Sequence, residues 1–127
     1  MKTKQIWANF AVADLERTTK FYTELGFTSN NSNSELTSIS FGENNFIINF
    51  FLKEIIEKNT KTEFSAGNEI IFSLSAASKE EVDEWVETVK KAGGKISVEP
   101  YEIDKGYTFV FSDPDNHKFN VLYWPGM

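Results

Sequence analysis

The sequence predicts an α+β fold in which two modules of the order β-α-β-β-β follow one another along the chain. Three observations predict this class: apolar alternation typical of strands recurs in both halves, each half carries one amphipathic helical pattern, and each such pattern ends at glycine. One module cannot bury both faces of its sheet alone. We therefore expect the modules to pair into curved mixed sheets around a central cleft, with the helices outside.

The first module spans about residues 4–58 and begins with a strand. Apolar alternation predicts this strand at residues 6–12. Asp14 then has the position of a helix N-cap, and apolar residues at helical spacing predict a helix over residues 15–25. Gly26 follows at the place where a C-cap glycine is expected.

Three more strands and a polar linker complete this half of the chain. The strand patterns lie at residues 27–29, 36–41 and 45–52. Residues 53–58 predict a further turn of helix, and residues 59–67 are polar enough to form the linker to the second half. The first half therefore has the order β-α-β-β-β.

The second module, about residues 68–127, repeats the same order. A strand pattern at residues 70–74 precedes Ser78 and Glu81, whose spacing is that of a capping box. The apolar stripe of the helix that follows is formed by Val82, Trp85, Val86 and Val89, before Gly93 and Gly94. The remaining strand patterns lie at residues 95–98, 107–111 and 118–124.

Composition limits the class of protein and its partners. The chain has 127 residues, of which 40% are hydrophobic and 25% charged, so we expect one domain over residues 1–127. Its formal net charge of -6, with Lys and Arg spread along the chain, argues against a nucleic-acid partner. Without a long apolar stretch or a cleavable leader, we expect a cytoplasmic protein with no membrane partner. The absence of cysteine excludes disulfides and thiolate chemistry.

Three segments resemble one known superfamily. FAVADLERTTKFYTELGF at residues 10–27 resembles the opening of vicinal oxygen chelate proteins, the glyoxalase, bleomycin resistance protein and extradiol dioxygenase superfamily. SKEEVDEWVETVKKAGGKI at residues 78–96 resembles their second-module helix, and FSDPDNHKFNVL at residues 111–122 their closing turn and last strand. The resemblance covers nearly the whole chain. It implies the fold predicted above and a homodimer.

The metal ligands of that superfamily are missing from this sequence. Its enzymes hold a divalent ion through His, Gln or Glu side chains, and the resemblance places the four ligand positions at Trp7, Asn49, about Ile71, and Asn120. An indole N–H donates hydrogen bonds and cannot coordinate a metal ion, and an alkyl group cannot coordinate one either. An amide oxygen binds transition metals weakly. We therefore expect no metal site and no other cofactor.

Two residues near those positions have side chains that could bind a metal. His117 lies in the segment DPDNHKF, where we interpret it as a tight-turn residue and not as a ligand. Glu69 lies two residues before Ile71 and therefore on the same strand face, so an error in the register could make it a ligand. A solvated carboxylate at the edge of the strand is the simpler interpretation.

The superfamily's strand register also indicates which side chains line the cleft. The inward-facing set is Trp7, Asn9, Ala11, Ile47, Asn49, Phe51, Ile71, Ser73, Thr108, Val110, Asn120, Leu122 and Trp124. From it we take as ligand-binding candidates Trp7, Asn9, Asn49, Phe51, Ser73, Thr108, Asn120 and Trp124, and we assign no catalytic residue. Such a surface suits a small, neutral, partly aromatic or amphipathic molecule. Alternatively, these side chains fill a closed core in which Asn49 and Asn120 bond each other.

An acidic segment precedes the seventh strand. Glu99, Glu102 and Asp104, with Tyr101 and Tyr107, are predicted to form a loop there. This loop either attracts a cationic ligand or is simply solvated.

Three functions remain open at this point. The first is a small-molecule-binding protein that works without a metal, and we favour it because the scaffold is complete while the metal ligands are absent. The second is a lyase- or dioxygenase-type enzyme with a displaced or metal-free site. The third is a scaffold with a filled cleft that acts through protein contacts only.

Overall fold

Two compact units make up the chain, Met1–Ser65 and Ala66–Met127, and the computed structural model describes residues 1–65 and 69–126. The elements of the first unit are β1 (Ala8–Val12), α1 (Leu15–Glu24), β2 (Thr28–Ser32), β3 (Leu36–Phe41), β4 (Phe46–Leu52) and α2 (Lys53–Thr60). Those of the second unit are β5 (Ile71–Ala76), α3 (Lys79–Ala92), β6 (Lys95–Ile103), β7 (Gly106–Ser112) and β8 (Lys118–Tyr123). This confirms the α+β class and the order β-α-β-β-β in both halves.

Each unit contains one four-stranded mixed sheet, with the strand orders β1-β4-β3-β2 and β5-β8-β7-β6. The first strand of each unit runs parallel to the last one, β1 beside β4 and β5 beside β8, and the other pairs are antiparallel. Within the described residues, no helix has the length and apolarity that a membrane span requires.

In the first unit, α1 packs on one face of its sheet. The Asp14 side chain accepts a hydrogen bond from the Arg17 backbone N–H at 3.0 Å and so caps the helix. The Tyr22 ring stacks on Phe50 of β4, with 4.7 Å between ring centroids. Both rings are fully buried, so this face forms the core of the unit.

In the second unit, α3 covers the equivalent face of the other sheet. Ser78 caps the helix by accepting from the Glu81 backbone N–H at 3.1 Å. The Glu81 carboxylate accepts in turn from the Ala77 N–H. The core beneath this helix is built by the valines and phenylalanines at Val82, Val86, Val89, Phe109, Phe111 and Phe119. Its aromatic rings therefore belong to the core of the unit.

Several predicted boundaries were wrong because apolar alternation does not reveal where strand pairing starts. The first strand begins at Ala8 and not at residue 6, since its pairing with β4 starts at Ala8 opposite Ile48. Ile6 and Trp7 therefore precede the strand, with 82% and 51% of their surface exposed. β2 extends to Ser32, beyond the end predicted at residue 29, because a bulge lets this polar edge strand continue pairing.

The predicted turn after β4 is a helix of two turns. α2 runs to Thr60, is anchored by the buried Ile56, and ends at Lys61 in the left-handed conformation with φ 56°. The first residues of the predicted linker are therefore helical. Residues 66 and 67 of that linker lie outside the described residues.

The predicted acidic loop was also wrong, because β6 continues to Ile103. Pro100 lacks an N–H, which is tolerated here since β6 is an edge strand whose pairing is irregular between Val98 and Tyr101. Glu99, Tyr101 and Glu102 thus lie on a strand, and Tyr107 lies on β7. Of the five residues, Asp104 alone lies in the turn between β6 and β7, with φ 52°.

Glu102 and Tyr107 of that segment are in contact with α3. Lys79 donates to the Glu102 carboxylate at 2.9 Å, and this hydrogen bond, together with the lysine charge, holds the pKa of Glu102 below its usual value. The Tyr107 hydroxyl donates to Asp83 at 2.8 Å, which raises the pKa of the Tyr107 phenol. These contacts tie the edge of the second sheet to its helix.

Gly106, at the start of β7, leaves the space in which the Trp124 ring packs. A β-carbon on Gly106 would lie 2.6 Å from Cε3 of the Trp124 ring and 2.6 Å from the Tyr123 carbonyl oxygen. Real β-carbons do not approach other atoms so closely, so only glycine allows the indole to lie against this strand.

We expect Gly106→Ala to lower the free energy of unfolding by about 1–3 kcal/mol, because the new methyl group must displace both the indole and the Tyr123 carbonyl. Urea unfolding measures this change. The change should shrink in a Trp124→Ala background, where the ring no longer clashes. If the two changes in the free energy of unfolding were strictly additive, the indole of Trp124 would not lie against Gly106.

Candidate functional site

Side-chain alternation divides each sheet into two faces. Tyr22 stacks on Phe50 and Tyr107 bonds Asp83 of α3, so the strand positions aligned with Phe50 and Tyr107 face the helices. The alternate positions point to the opposite face. On this opposite face lie Asn9, Asn49 and Phe51 in the first unit, and Ser73, Thr108 and Asn120 in the second.

The first unit presents two neighbouring amides on this face. Asn9 and Asn49 are paired residues on the parallel strands β1 and β4, and Ser38 of β3 is the next residue in the row. Asn9 is exposed and Asn49 is partly exposed. Neither side chain has a hydrogen-bond partner among residues 1–65 and 69–126. Their donors and acceptors are therefore available to a polar ligand.

Apolar side chains lie beside these amides. Ala11 and Phe51 form the next pair along β1 and β4, and Leu36 continues that row on β3. All three are partly exposed. Trp7, which we predicted to lie on the same strand, instead precedes it.

The second unit carries a chain of hydrogen bonds on its corresponding face. The Ser73 hydroxyl donates to Oδ1 of Asn120 at 2.5 Å, and Nδ2 of Asn120 donates to Oγ1 of Thr108 at 3.1 Å. The Thr108 hydroxyl in turn donates to the Val121 carbonyl at 2.7 Å. Three of the predicted site residues are thus brought together on three adjacent strands.

Apolar groups surround this polar chain. Leu122 lies two positions beyond Asn120 on β8, and Trp124 follows at the end of the same face, over Gly106. Ile71 of β5 has 47% of its surface exposed, and Tyr101 of β6 has 44%. The sequence did not predict Tyr101 on this face, because Pro100 suggested that the strand ends before it.

The donors at the four expected ligand positions do not fit a divalent ion. The Asn120 amide is bonded to Ser73 and Thr108, and the alkyl group of Ile71 offers no donor atom. Across residues 1–65 and 69–126, no three His, Cys, Asp or Glu side chains lie close enough together to hold a metal. We therefore derive no chemistry through a metal centre.

The two other candidate ligands also lie elsewhere. Nδ1 of His117 is 2.7 Å from Oδ2 of Asp113, and the His117 backbone N–H donates to Oδ1 of the same carboxylate at 2.8 Å. Both side chains are buried, so the pair fixes the turn between β7 and β8. Glu69 precedes β5, which begins at Ile71, so the expectation that it lies on the strand was wrong.

Comparison with known proteins agrees with this fold. The Glyoxalase/Bleomycin resistance protein/Dioxygenase superfamily model matches residues 4–121. A hypothetical protein from S. aureus has 30% sequence identity and a TM-score of 0.88, over 98% of this chain and 96% of that one. A glyoxalase-related enzyme from Fulvimarina pelagi has 19% identity and a TM-score of 0.86, over 97% of this chain and 90% of that one, a likeness of fold alone.

A curated plant protein is similar in sequence. The probable lactoylglutathione lyase, chloroplastic, of Arabidopsis thaliana is 30% identical over 132 residues, which cover 95% of this chain but 36% of that protein. The chain thus spans about a third of the length of this relative. With the family model matching nearly the whole chain, and with the two β-α-β-β-β units described above, the chain belongs to the glyoxalase/bleomycin resistance protein/dioxygenase superfamily.

Proposed function

We propose that this protein binds a small, neutral, partly aromatic or amphipathic molecule without the help of a metal ion. One observation carries this function: the sheet faces opposite to the helices combine amide groups with partly exposed apolar side chains where superfamily enzymes would carry metal ligands. Amides and hydroxyls bind a ligand through hydrogen bonds, and flanking apolar groups add contact area. No carboxylate or imidazole is among the candidate residues, so proton transfer has no evident donor.

The second unit offers the better organised surface. Asn120 is held by Ser73 on one side and by Thr108 on the other. A polar group that is already oriented loses little conformational freedom when a ligand binds. Trp124 and Leu122 can lie against the flat face of an aromatic ligand.

The first unit supports the same function through amide groups that have no hydrogen-bond partner in the described part of the chain. Asn9 and Asn49 lie side by side, and Phe51 follows on the same strand face. Because these amides lack partners within the described part of the chain, a ligand would compete with water and not with another side chain.

Membership of the superfamily also supports a homodimer, and the proposal includes it. Large apolar side chains that remain exposed on the second sheet favour association. They are Ile71, Val98, Tyr101 and Ile103. The cytoplasmic location expected from the sequence stays a prediction.

Native mass spectrometry of the full chain, purified without added ligand, is expected to give a species of twice the 14.5 kDa chain mass. This species should carry an additional small molecule that is lost on denaturation. We expect Trp124→Ala to reduce the occupancy of this molecule, at about tenfold lower affinity, because the indole supplies much of the apolar contact.

The matched control for this experiment is Trp85→Phe, since Trp85 lies on the helix α3 and not on the proposed binding face. It should retain the bound molecule. Ligand-free protein, combined with no response to neutral aromatic fragments in ligand-observed NMR, would contradict small-molecule binding. A monomeric mass would contradict the homodimer alone.

A second candidate function is that of a lyase, and the plant relative favours it. That relative is named a probable lactoylglutathione lyase and shares 30% identity with this chain. A lyase that acts on an adduct of methylglyoxal and glutathione would need a general base for proton transfer. The candidate residues of this chain do not supply one.

We expect no turnover of methylglyoxal–glutathione adducts above the buffer rate when the full chain is assayed with Zn²⁺, Ni²⁺, Mn²⁺ or Mg²⁺, because the amide and alkyl side chains at the ligand positions cannot anchor the ion. Absorbance of the thioester product measures the rate. Metal-dependent turnover that Asn49→Leu and Asn120→Leu abolish would establish the lyase in place of the binding protein.

A further inference from the structure

The hydrogen bonds on the second sheet can run in only one direction. The Thr108 hydroxyl has one hydrogen and donates it to the Val121 carbonyl at 2.7 Å. A carbonyl oxygen cannot donate, so this direction is fixed. Oγ1 of Thr108 can therefore act only as an acceptor toward its other neighbour, Asn120, at 3.1 Å.

This fixes the orientation of the Asn120 amide. Its Nδ2 must face Thr108, because the reversed amide would bring two oxygens together with no hydrogen between them. Oδ1 then faces Ser73, and the Ser73 hydroxyl must donate its hydrogen to it. The hydroxyl hydrogens of Ser73 and Thr108 are thus both donated to acceptors of the protein itself.

Asn120 and Ser73 keep hydrogen-bonding groups that no other side chain of this network uses. Asn120 retains one N–H and one lone pair on Oδ1, and the Ser73 oxygen retains both of its lone pairs. Ser73 is exposed and Asn120 is partly exposed, so both groups are accessible. The face therefore offers one donor, the Asn120 N–H, beside the acceptor oxygens of Ser73 and Asn120, of which that of Ser73 is the more exposed. The apolar Ile71 and Leu122 lie next to them, paired with neighbouring positions on β8 and β5.

Charge does not contribute to this arrangement. Ser73, Asn120 and Thr108 are all neutral side chains. Lys118, two positions before Asn120 on β8, directs its ammonium group toward Ser112 at 2.7 Å and Asn116 at 2.8 Å. A carboxylate ligand has acceptors only, and would place a lone pair against that of Ser73.

We propose, on the basis of the binding function above, that the ligand carries a carbonyl acceptor and an N–H donor on one edge of a flat apolar body, as aromatic lactams and primary carboxamides do. The carbonyl accepts from the Asn120 N–H, and the ligand N–H donates to Ser73. Thr108 acts as a positioning residue, since it contacts Asn120 and not the ligand.

Titration of the full chain with 2-quinolinone and with N-methyl-2-quinolinone, followed by ¹⁵N–¹H NMR, tests this selectivity. The two probes share the ring and the carbonyl, and differ in the N–H donor. We expect the lactam with the free N–H to bind about tenfold more tightly, since the N-methyl probe covers the Ser73 oxygen without donating a hydrogen bond to it.

Ser73→Ala should abolish this preference, so that both probes bind alike, whereas Ser75→Ala should retain it. Ser75 is the matched control because it lies on the same strand and face and takes no part in the hydrogen-bonded chain. Thr108→Val should also reduce the preference, because it releases the Asn120 amide from its fixed orientation. Well-dispersed spectra of these variants show that they fold.

The outcomes separate this inference from the binding function on which it rests. If both probes bind with equal affinity to the unsubstituted protein, or if Ser73→Ala keeps the preference, the donor–acceptor selectivity is wrong while small-molecule binding stands. If neither probe nor naphthalene perturbs any resonance, the selectivity and the binding function both fail.

Discussion

The register of β8 between β5 and β7 is the constraint on which the rest of the second unit depends. In this register Phe119 and Val121 point toward α3, while Asn120 points to the opposite face, beside Ser73. A slip by one residue would exchange the two sets. It would place an amide in an aromatic core and expose two large apolar side chains, so the core itself enforces the position of the polar site. In the first unit, the pairing of β1 with β4 places Asn49 in the corresponding way.

The chemistry of the chain follows from what these positions carry. A scaffold that elsewhere holds a metal presents amides, hydroxyls and apolar groups here. Such groups recognise shape and the direction of hydrogen bonds, and they supply neither a Lewis acid nor a strong base. Three carboxylates serve the structure: Asp14 caps α1, Asp113 holds His117 in a turn, and Glu102 pairs with Lys79.

The resemblance to the superfamily implied that Asn9, Asn49, Ser73 and Asn120 face the cleft. The sequence itself predicted the fold class and both capped helices. Those features depend on local chemistry and strand alternation, which are visible in a single sequence. It did not predict the full length of β6, because a proline normally ends a strand and only an edge position tolerates it. Nor could it predict that Thr108 fixes the direction of the Asn120 amide, since this depends on a contact between strands. The close packing of Trp124 against Gly106 was also not predicted. Its one sign in the sequence is a glycine at the start of a strand, and apolar alternation does not indicate which side chain packs against that glycine.

The claim that this protein works without a metal is tested most directly by elemental analysis of the full chain, expressed in metal-supplemented medium and purified without chelators. Our account predicts no transition metal held in stoichiometric amount, because indole, amide and alkyl groups stand at the ligand positions. One tightly held ion per chain, lost when Asn49 and Asn120 are replaced by leucine, would contradict it.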